Sequence, residues 1–265
     1  MGDCKSVVAV FDEPWGIVLE KFREEFEFLG EKQYGNEREN MEWFKFEDTR
    51  GFKLMLKGHI HFTLNTIEDW GPHDYFDIEV FSKDGVTVID LETCMSKFDF
   101  ILSSEFLKFL KKLTEIGAVL ICGYIYGYER LERVFGDTNR FLLYEWSVGI
   151  VKRGKLEVIP SGVTVVKREL LDLEDGLYEL IERPGRGERE YVLVKSMDGY
   201  NILVTVRESD LTDEECYQDL LEDKAWFSLH MTATVFKRVG KKIENEFLTR
   251  RAEEYFKAQT GAEPY

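Results

Sequence analysis

The sequence lacks the features that mark several common classes of protein. Its four cysteines, Cys4, Cys94, Cys122 and Cys216, are far apart and none falls in a Cys-x-x-Cys spacing, which argues against a zinc ribbon and a disulfide framework. The longest apolar run, GAVLICGYIYGY from Gly117, is too short to cross a bilayer. The N-terminus has no basic region followed by a long apolar stretch, so we expect a cytoplasmic protein with no membrane segment.

Positive charge is also scarce. The chain has 35 basic and 51 acidic side chains and a formal net charge of −16. Nucleic acids and anionic membranes are bound through cationic patches that release counterions, so this composition argues against both as partners. An acidic surface suits docking on a basic protein, although the same charge also serves solubility alone.

What the sequence does contain is enough apolar material for a large core. Of its 265 residues, 44% are hydrophobic and 14% are aromatic, which is typical of a folded chain that needs neither disulfides nor metal for stability. The length allows one large domain or two of ordinary size. We predict an N-terminal domain over residues 1–152 and a C-terminal domain over 153–265.

Periodicity predicts the elements of the first half. A helix is expected from Asp12, its N-cap, to Gly30, and strict alternation in FKLMLKGHIHFTL predicts a half-buried strand. Asp84-Gly85 between two alternating runs predicts a hairpin. A helix beginning at Ser103 or Ser104 and a central strand in AVLICGYIYGY follow.

The second half repeats this order. The pattern predicts a three-stranded meander, a helix from about Leu211, a strand in WFSLHMTATVF and a C-terminal helix. The first residues of that last helix are expected to include a basic cluster: Lys237, Arg238, Lys241 and Lys242. The predicted fold class is α+β, with two units that each have an antiparallel meander followed by helix, strand and helix. We expect mixed sheets with the helices packed on one face. The match of SKDG (82–85) to SMDG (196–199) makes an internal duplication a hypothesis.

The strands around the histidines bring charged residues together. Keeping apolar residues opposite apolar residues pairs Glu79 with Asp90 and Asp77 with Glu92, and in the preceding strand His61 with Asp77 and His59 with Glu79. One sheet face then carries six ionisable groups: His59, His61, Asp77, Glu79, Asp90 and Glu92.

Like charges opposite one another on a sheet are destabilising, so something should neutralise them. A divalent cation is one solution; protonated groups, or lysine and arginine side chains from elsewhere, are others. Oxygen-rich ligands favour Mg²⁺ or Mn²⁺, with Asp77, Glu79, Asp90 and Glu92 as the candidate metal ligands. The alternative is a solvated polar sheet face without a metal.

Two short patterns on these strands resemble nuclease motifs. VIDLET (88–93) resembles the first motif of the DEDD-type 3′ to 5′ exonucleases, which implies metal binding by Asp90 and Glu92. The order αβββαβ, with Asp77 on one strand and Asp90-x-Glu92 on the next, is similar to the PD-(D/E)xK nuclease core. Later aspartate motifs of the first family are not recognisable, and Glu92 stands where the second usually has lysine, so the chain is assigned to neither.

Two functions from different classes follow from these patterns. The first is a binding or regulatory protein that uses its acidic surface. The second is a divalent-metal-dependent hydrolase, of nuclease type, in which His59 or His61 is an auxiliary ligand or general base. Whether the protein is an enzyme is left open by the sequence, as are its substrate, partner and oligomeric state.

Overall fold

A computed structural model describes residues 4–25, 59–64, 76–93, 104–126, 139–160, 162–181, 188–222 and 236–260. The strands are β1 (Cys4–Phe11), β2 (His59–Leu64), β3 (Phe76–Lys83), β4 (Val86–Thr93), β5 (Leu120–Tyr126), β6 (Ile159–Pro160), β7 (Val163–Lys167), β8 (Gly176–Ile181), β9 (Glu190–Met197), β10 (Tyr200–Arg207) and β11 (Phe236–Lys242). The helices are α1 (Trp15–Glu25), α2 (Ser104–Glu115), α3 (Asn139–Arg153), α4 (Glu208–Thr212), α5 (Glu214–Glu222) and α6 (Glu246–Thr260).

The described strands belong to one large sheet in the order β2-β3-β4-β1-β5-β7-β10-β9-β8-β11-β6. Every pairing between them is antiparallel. The α+β class predicted from the sequence is confirmed. The expectation of mixed sheets is wrong for the described strands, because no parallel pair occurs among them.

Both faces of the sheet are covered in its centre. In β1, Val7 and Ala9 pack on the face that carries α1, α2, α4, α5 and α6, whereas Val8 and Val10 pack on the face that carries α3. The prediction that all helices lie on one face therefore fails for α3. Strands buried on both faces read as continuous apolar runs, which explains the sequence SVVAVF of β1.

Two tight hairpins set the register of the meanders. Asp84 and Gly85 have φ angles of 54° and 77°, and Asp198 and Gly199 have φ angles of 33° and 86°. Positive φ at both central residues is the requirement of a two-residue hairpin turn, and Asp-Gly meets it at little steric cost. The hairpin predicted at Asp84-Gly85 is confirmed, and SMDG forms the same kind of turn.

The predicted boundary at residues 152 and 153 falls within the last turn of α3. Strand β5 pairs with β7 from Leu120↔Val166 to Gly123↔Val163, so hydrogen bonds join the two halves of the sheet. The division into two domains stays a prediction.

Several predicted elements of the second half differ from the observed ones. Lys237 to Lys242 lie in β11, and the last helix begins only at Glu246. The helix expected from about Leu211 is two helices, α4 and α5. The predicted strand WFSLHMTATVF lies outside the described residues except for Phe236. Within the described ranges, no helix is long and apolar enough to span a membrane.

Candidate functional site

The charged residues singled out from the sequence lie on three neighbouring strands, β2, β3 and β4. The predicted register of the hairpin is confirmed, with Glu79 opposite Asp90 and Asp77 opposite Glu92. The predicted register of β2 is wrong by two residues, because His61 is opposite Glu79 and His59 is opposite Phe81. A shift of two keeps every side chain on its face, so alternation alone does not distinguish the two registers.

The corrected register places His61, Glu79 and Asp90 at successive positions of one row across the sheet. The same row continues through Val8 of β1 and Cys122 of β5 to Thr164 of β7. The side chains of His59, His61, Asp77, Glu79 and Glu92 lie outside the described part of the structure, and only their strand positions are known. Asp90 is the candidate whose surroundings can be analysed.

Asp90 is completely buried beneath helix α3. The hydroxyl of Tyr144, on α3, donates a hydrogen bond to Asp90 Oδ2 at 2.7 Å. The ring of Tyr144 also contacts that of Phe81, with centroids 5.7 Å apart. The burial of a carboxylate in an apolar layer is unfavourable unless hydrogen bonds compensate it, so Tyr144 is a principal support of Asp90.

Helix α3 is held over this part of the sheet along most of its length. Lys83, at the end of β3, pairs with Glu145 at 2.8 Å. Val148 and Ile150 pack into the core on this face. Asp90 is therefore covered by a packed helix.

Within the described residues, no group of three or more histidine, cysteine or acidic side chains is close enough to hold a metal ion. Cys122, in the same row as Asp90, is an unsuitable nucleophile, because burial raises the pKa of its thiol to about 12. A thiol with that pKa is protonated at neutral pH and is unreactive.

A cleft that was not predicted from the sequence lies where the two halves of the sheet meet. It has a volume of about 440 Å³ and is lined by residues from the ends of β1, β5, β7 and α3: Asp12, Glu13, Gly117, Val119, Val151, Gly154, Lys167, Glu169 and Leu170. These residues are dispersed over more than a hundred positions, so no local motif could have identified them.

Helix α5 presents a separate acidic surface. Glu215, Asp219 and Glu222 are exposed and, at spacings of four and three, lie on one side of the helix. No lysine or arginine among the described residues pairs with any of the three. Arg251, on α6, reaches this helix at its N-terminal end, where it pairs with Glu214.

Comparison with known proteins assigns no function to this arrangement. No protein-family profile and no curated protein matches the sequence. A solved structure described as the Pseudomonas aeruginosa T6SS protein PA0821 aligns over 97% of this chain and 84% of its own, with 11% identity and a TM-score of 0.37. At that TM-score the likeness carries no information about the function of this chain.

Proposed function

We propose that this protein is a binding or regulatory protein that docks on a basic protein partner through its acidic surface, with α5 at the centre of the contact. The observation that supports this is the exposed row of Glu215, Asp219 and Glu222, which has no cationic partner among the described residues. The formal net charge of −16 supports the same partner class.

The row of acidic side chains on α5 lowers the stability of that helix. Carboxylates four residues apart repel each other, and Glu222 adds negative charge at the C-terminal end of α5, where the helix dipole is also negative. A basic surface placed against the row would replace this repulsion with attraction and would accelerate association. Contacts of this kind weaken as salt screens the charges.

Removing the negative charges of Glu215, Asp219 and Glu222 should therefore weaken binding of the basic partner. We expect a variant with Glu215→Gln, Asp219→Asn and Glu222→Gln to recover a basic partner from cell extract at least tenfold less efficiently than the unmodified chain at low salt. Quantitative mass spectrometry of proteins retained by the immobilised chain, and eluted by a salt gradient, measures this.

A variant with Asp84→Asn, Asp198→Asn and Glu244→Gln is the matched control. It loses the same number of exposed carboxylates and reaches the same net charge, and Asn is well suited to the positive φ of the two turn positions. Equal recovery of the partner by both variants would contradict a role of α5, and the absence of any salt-eluted partner would contradict the proposed function.

A divalent-metal-dependent hydrolase is the second candidate, and the strand register favours it. Asp77 and Glu92 are directly opposite each other, and His61, Glu79 and Asp90 occupy one row. Carboxylates and imidazole on adjacent strands are suitable ligands for Mg²⁺ or Mn²⁺ that activates water.

Metal binding is tested by thermal unfolding. On this hypothesis, Mn²⁺ at a hundredfold excess over its Kd raises the melting temperature by about 5 °C, and Asp77→Asn with Glu92→Gln removes the increment. Asp90 is left unchanged because its burial makes any substitution destabilising by itself. An equal response from the double variant, or no response from the unmodified chain, would reject this candidate.

A further inference from the structure

The cleft at the meeting point of β1, β5, β7 and α3 is of the size of small-molecule sites. Its volume is about 440 Å³, within the range of about 300 to 1,000 Å³ that is usual for ligand pockets. One part of its lining is apolar and is formed by Val119, Val151 and Leu170. Charged side chains at or just after the ends of β1 and β7 complete the lining.

Two of these charged side chains have opposite signs and are not hydrogen-bonded to any described residue. Asp12 is exposed and lies three residues before Trp15, the first residue of α1. Lys167 Nζ is 3.9 Å from Glu169 Oε2, which is beyond hydrogen-bond distance. Asp12 and Lys167 form no ion pair with each other.

The other charged side chains of the lining are Glu13 and Glu169. Glu169 is 82% exposed and its carboxylate forms the 3.9 Å ion pair with Lys167 Nζ, so a ligand carboxylate has to displace it. Glu13 Oε2 accepts a hydrogen bond from Lys21 Nζ at 2.5 Å. At the end of α3, Val151 O accepts from Gly154 N at 3.1 Å, so the helix terminus is partly satisfied from within the chain. Recognition of a ligand therefore falls to the carboxylate of Asp12, the ammonium of Lys167 and the apolar wall.

We infer that this cleft binds a small zwitterion with an apolar side chain, of the α-amino acid class. The ammonium group of the ligand pairs with Asp12, its carboxylate pairs with Lys167, and its side chain lies against Val119, Val151 and Leu170. The site is separate from α5, so it does not depend on the proposed docking on a basic partner.

Leucine and its two singly charged analogues test this assignment in the full-length chain. Titration followed by calorimetry should give saturable binding of L-leucine, and at least tenfold weaker binding of leucinamide, which lacks the carboxylate, and of N-acetyl-leucine, which lacks the ammonium. Lys167→Met should abolish the preference for leucine over leucinamide. Asp12→Asn should abolish the preference for leucine over N-acetyl-leucine, because each charged contact contributes about tenfold or more.

Lys155→Met and Asp172→Asn serve as controls, since both side chains are well exposed and lie outside the cleft lining. They should leave all three dissociation constants unchanged. Absence of saturable leucine binding up to about 10 mM would overturn the inference. Equal leucine affinity in the unmodified chain, Lys167→Met and Asp12→Asn would overturn it as well.

Discussion

Replacing Tyr144 with phenylalanine should lower the free energy of unfolding by about 2 kcal/mol, and replacing it with alanine by about 4 kcal/mol. The phenylalanine keeps the ring contact with Phe81 but removes the hydroxyl that donates to Asp90 Oδ2 at 2.7 Å. Asp90 is completely buried, so water cannot replace the lost donor without opening the cover formed by α3. Alanine adds the loss of a large apolar surface and a cavity. Urea denaturation monitored by circular dichroism measures both changes.

Tyr191→Phe is the matched control for this prediction. Tyr191 is also buried, and its hydroxyl donates to Glu208 Oε1 at 2.9 Å, but the side chain of Glu208 is 33% exposed. Because Glu208 can turn to water, we expect this loss to stay below about 1 kcal/mol. If Tyr144→Phe costs no more than Tyr191→Phe, the hydrogen bond to Asp90 is not a significant support of α3.

The same comparison separates a structural Asp90 from a metal ligand. If Asp90 mainly anchors α3, adding Asp90→Asn to Tyr144→Phe should cost less than the sum of the two single changes, because the two groups support each other. Metal at saturating concentration should leave that coupling unchanged. A coupling that depends on Mn²⁺ would instead favour the hydrolase.

The hairpin and its charged pairs could be predicted because local chemistry determines them. Asp84-Gly85 fixes the turn, and a two-residue turn fixes every pair along β3 and β4. The pairing of Glu79 with Asp90 follows without any knowledge of the rest of the chain. The α+β class followed similarly from short alternating strands and amphipathic helices such as α2.

The register of β2 could not be fixed in this way. The segment between Leu64 and Phe76 is too long to impose a turn geometry, and the alternation of His59 to Leu64 is satisfied equally by registers that differ by two residues. Its pairing with β3 depends on contacts that are distant in sequence. The error moved His61 from Asp77 to Glu79 without changing its face.

Burial on both faces concealed other elements. Strand β1 lies between β4 and β5 and is a short apolar run without alternation. Helix α3, NRFLLYEWSVGIVKR, has apolar side chains around much of its circumference and gives little helical periodicity. The predicted order of elements includes a helix after the strand in AVLICGYIYGY, but no residues could be assigned to it. This had a functional consequence, because one interpretation of the face that carries Asp90 was a solvated polar surface, and α3 covers it at Asp90.

The cleft at the meeting point of β1, β5, β7 and α3 could not be predicted from the sequence at all. Asp12 and Lys167 are brought together only because β1 and β7 both pair with β5. Neither residue belongs to a recognisable motif, and Asp12 reads most simply as a helix cap. A cleft whose lining is assembled by the order of strands in the sheet has no signature in a single sequence.

The ion pair between Lys237 and Glu190 is the other interaction whose loss should have a large effect. Lys237 Nζ is 2.6 Å from Glu190 Oε2, and their side chains are 5% and 24% exposed. The pair joins β11 to β9, two strands that β8 separates in the sheet order. Glu190 is the carboxylate that pairs with Lys237 among the described residues. A buried ammonium that loses its partner is costly, whereas a carboxylate with partial exposure is less so.

Glu190→Gln should therefore lower the free energy of unfolding by about 3 kcal/mol, and Lys237→Met by only about 1 kcal/mol, since the first leaves a buried charge and the second leaves a carboxylate that reaches water. The double variant Lys237→Met with Glu190→Leu should recover most of the loss, because it leaves no charge behind.

Glu145→Gln is the matched control. It breaks the pair between Glu145 and Lys83 at 2.8 Å, whose side chains are about half exposed, and surface ion pairs contribute little to the free energy of unfolding. Urea denaturation of the four variants measures the effects, and a loss for Glu190→Gln no larger than for Glu145→Gln would show that the pair between β11 and β9 does not stabilise the fold.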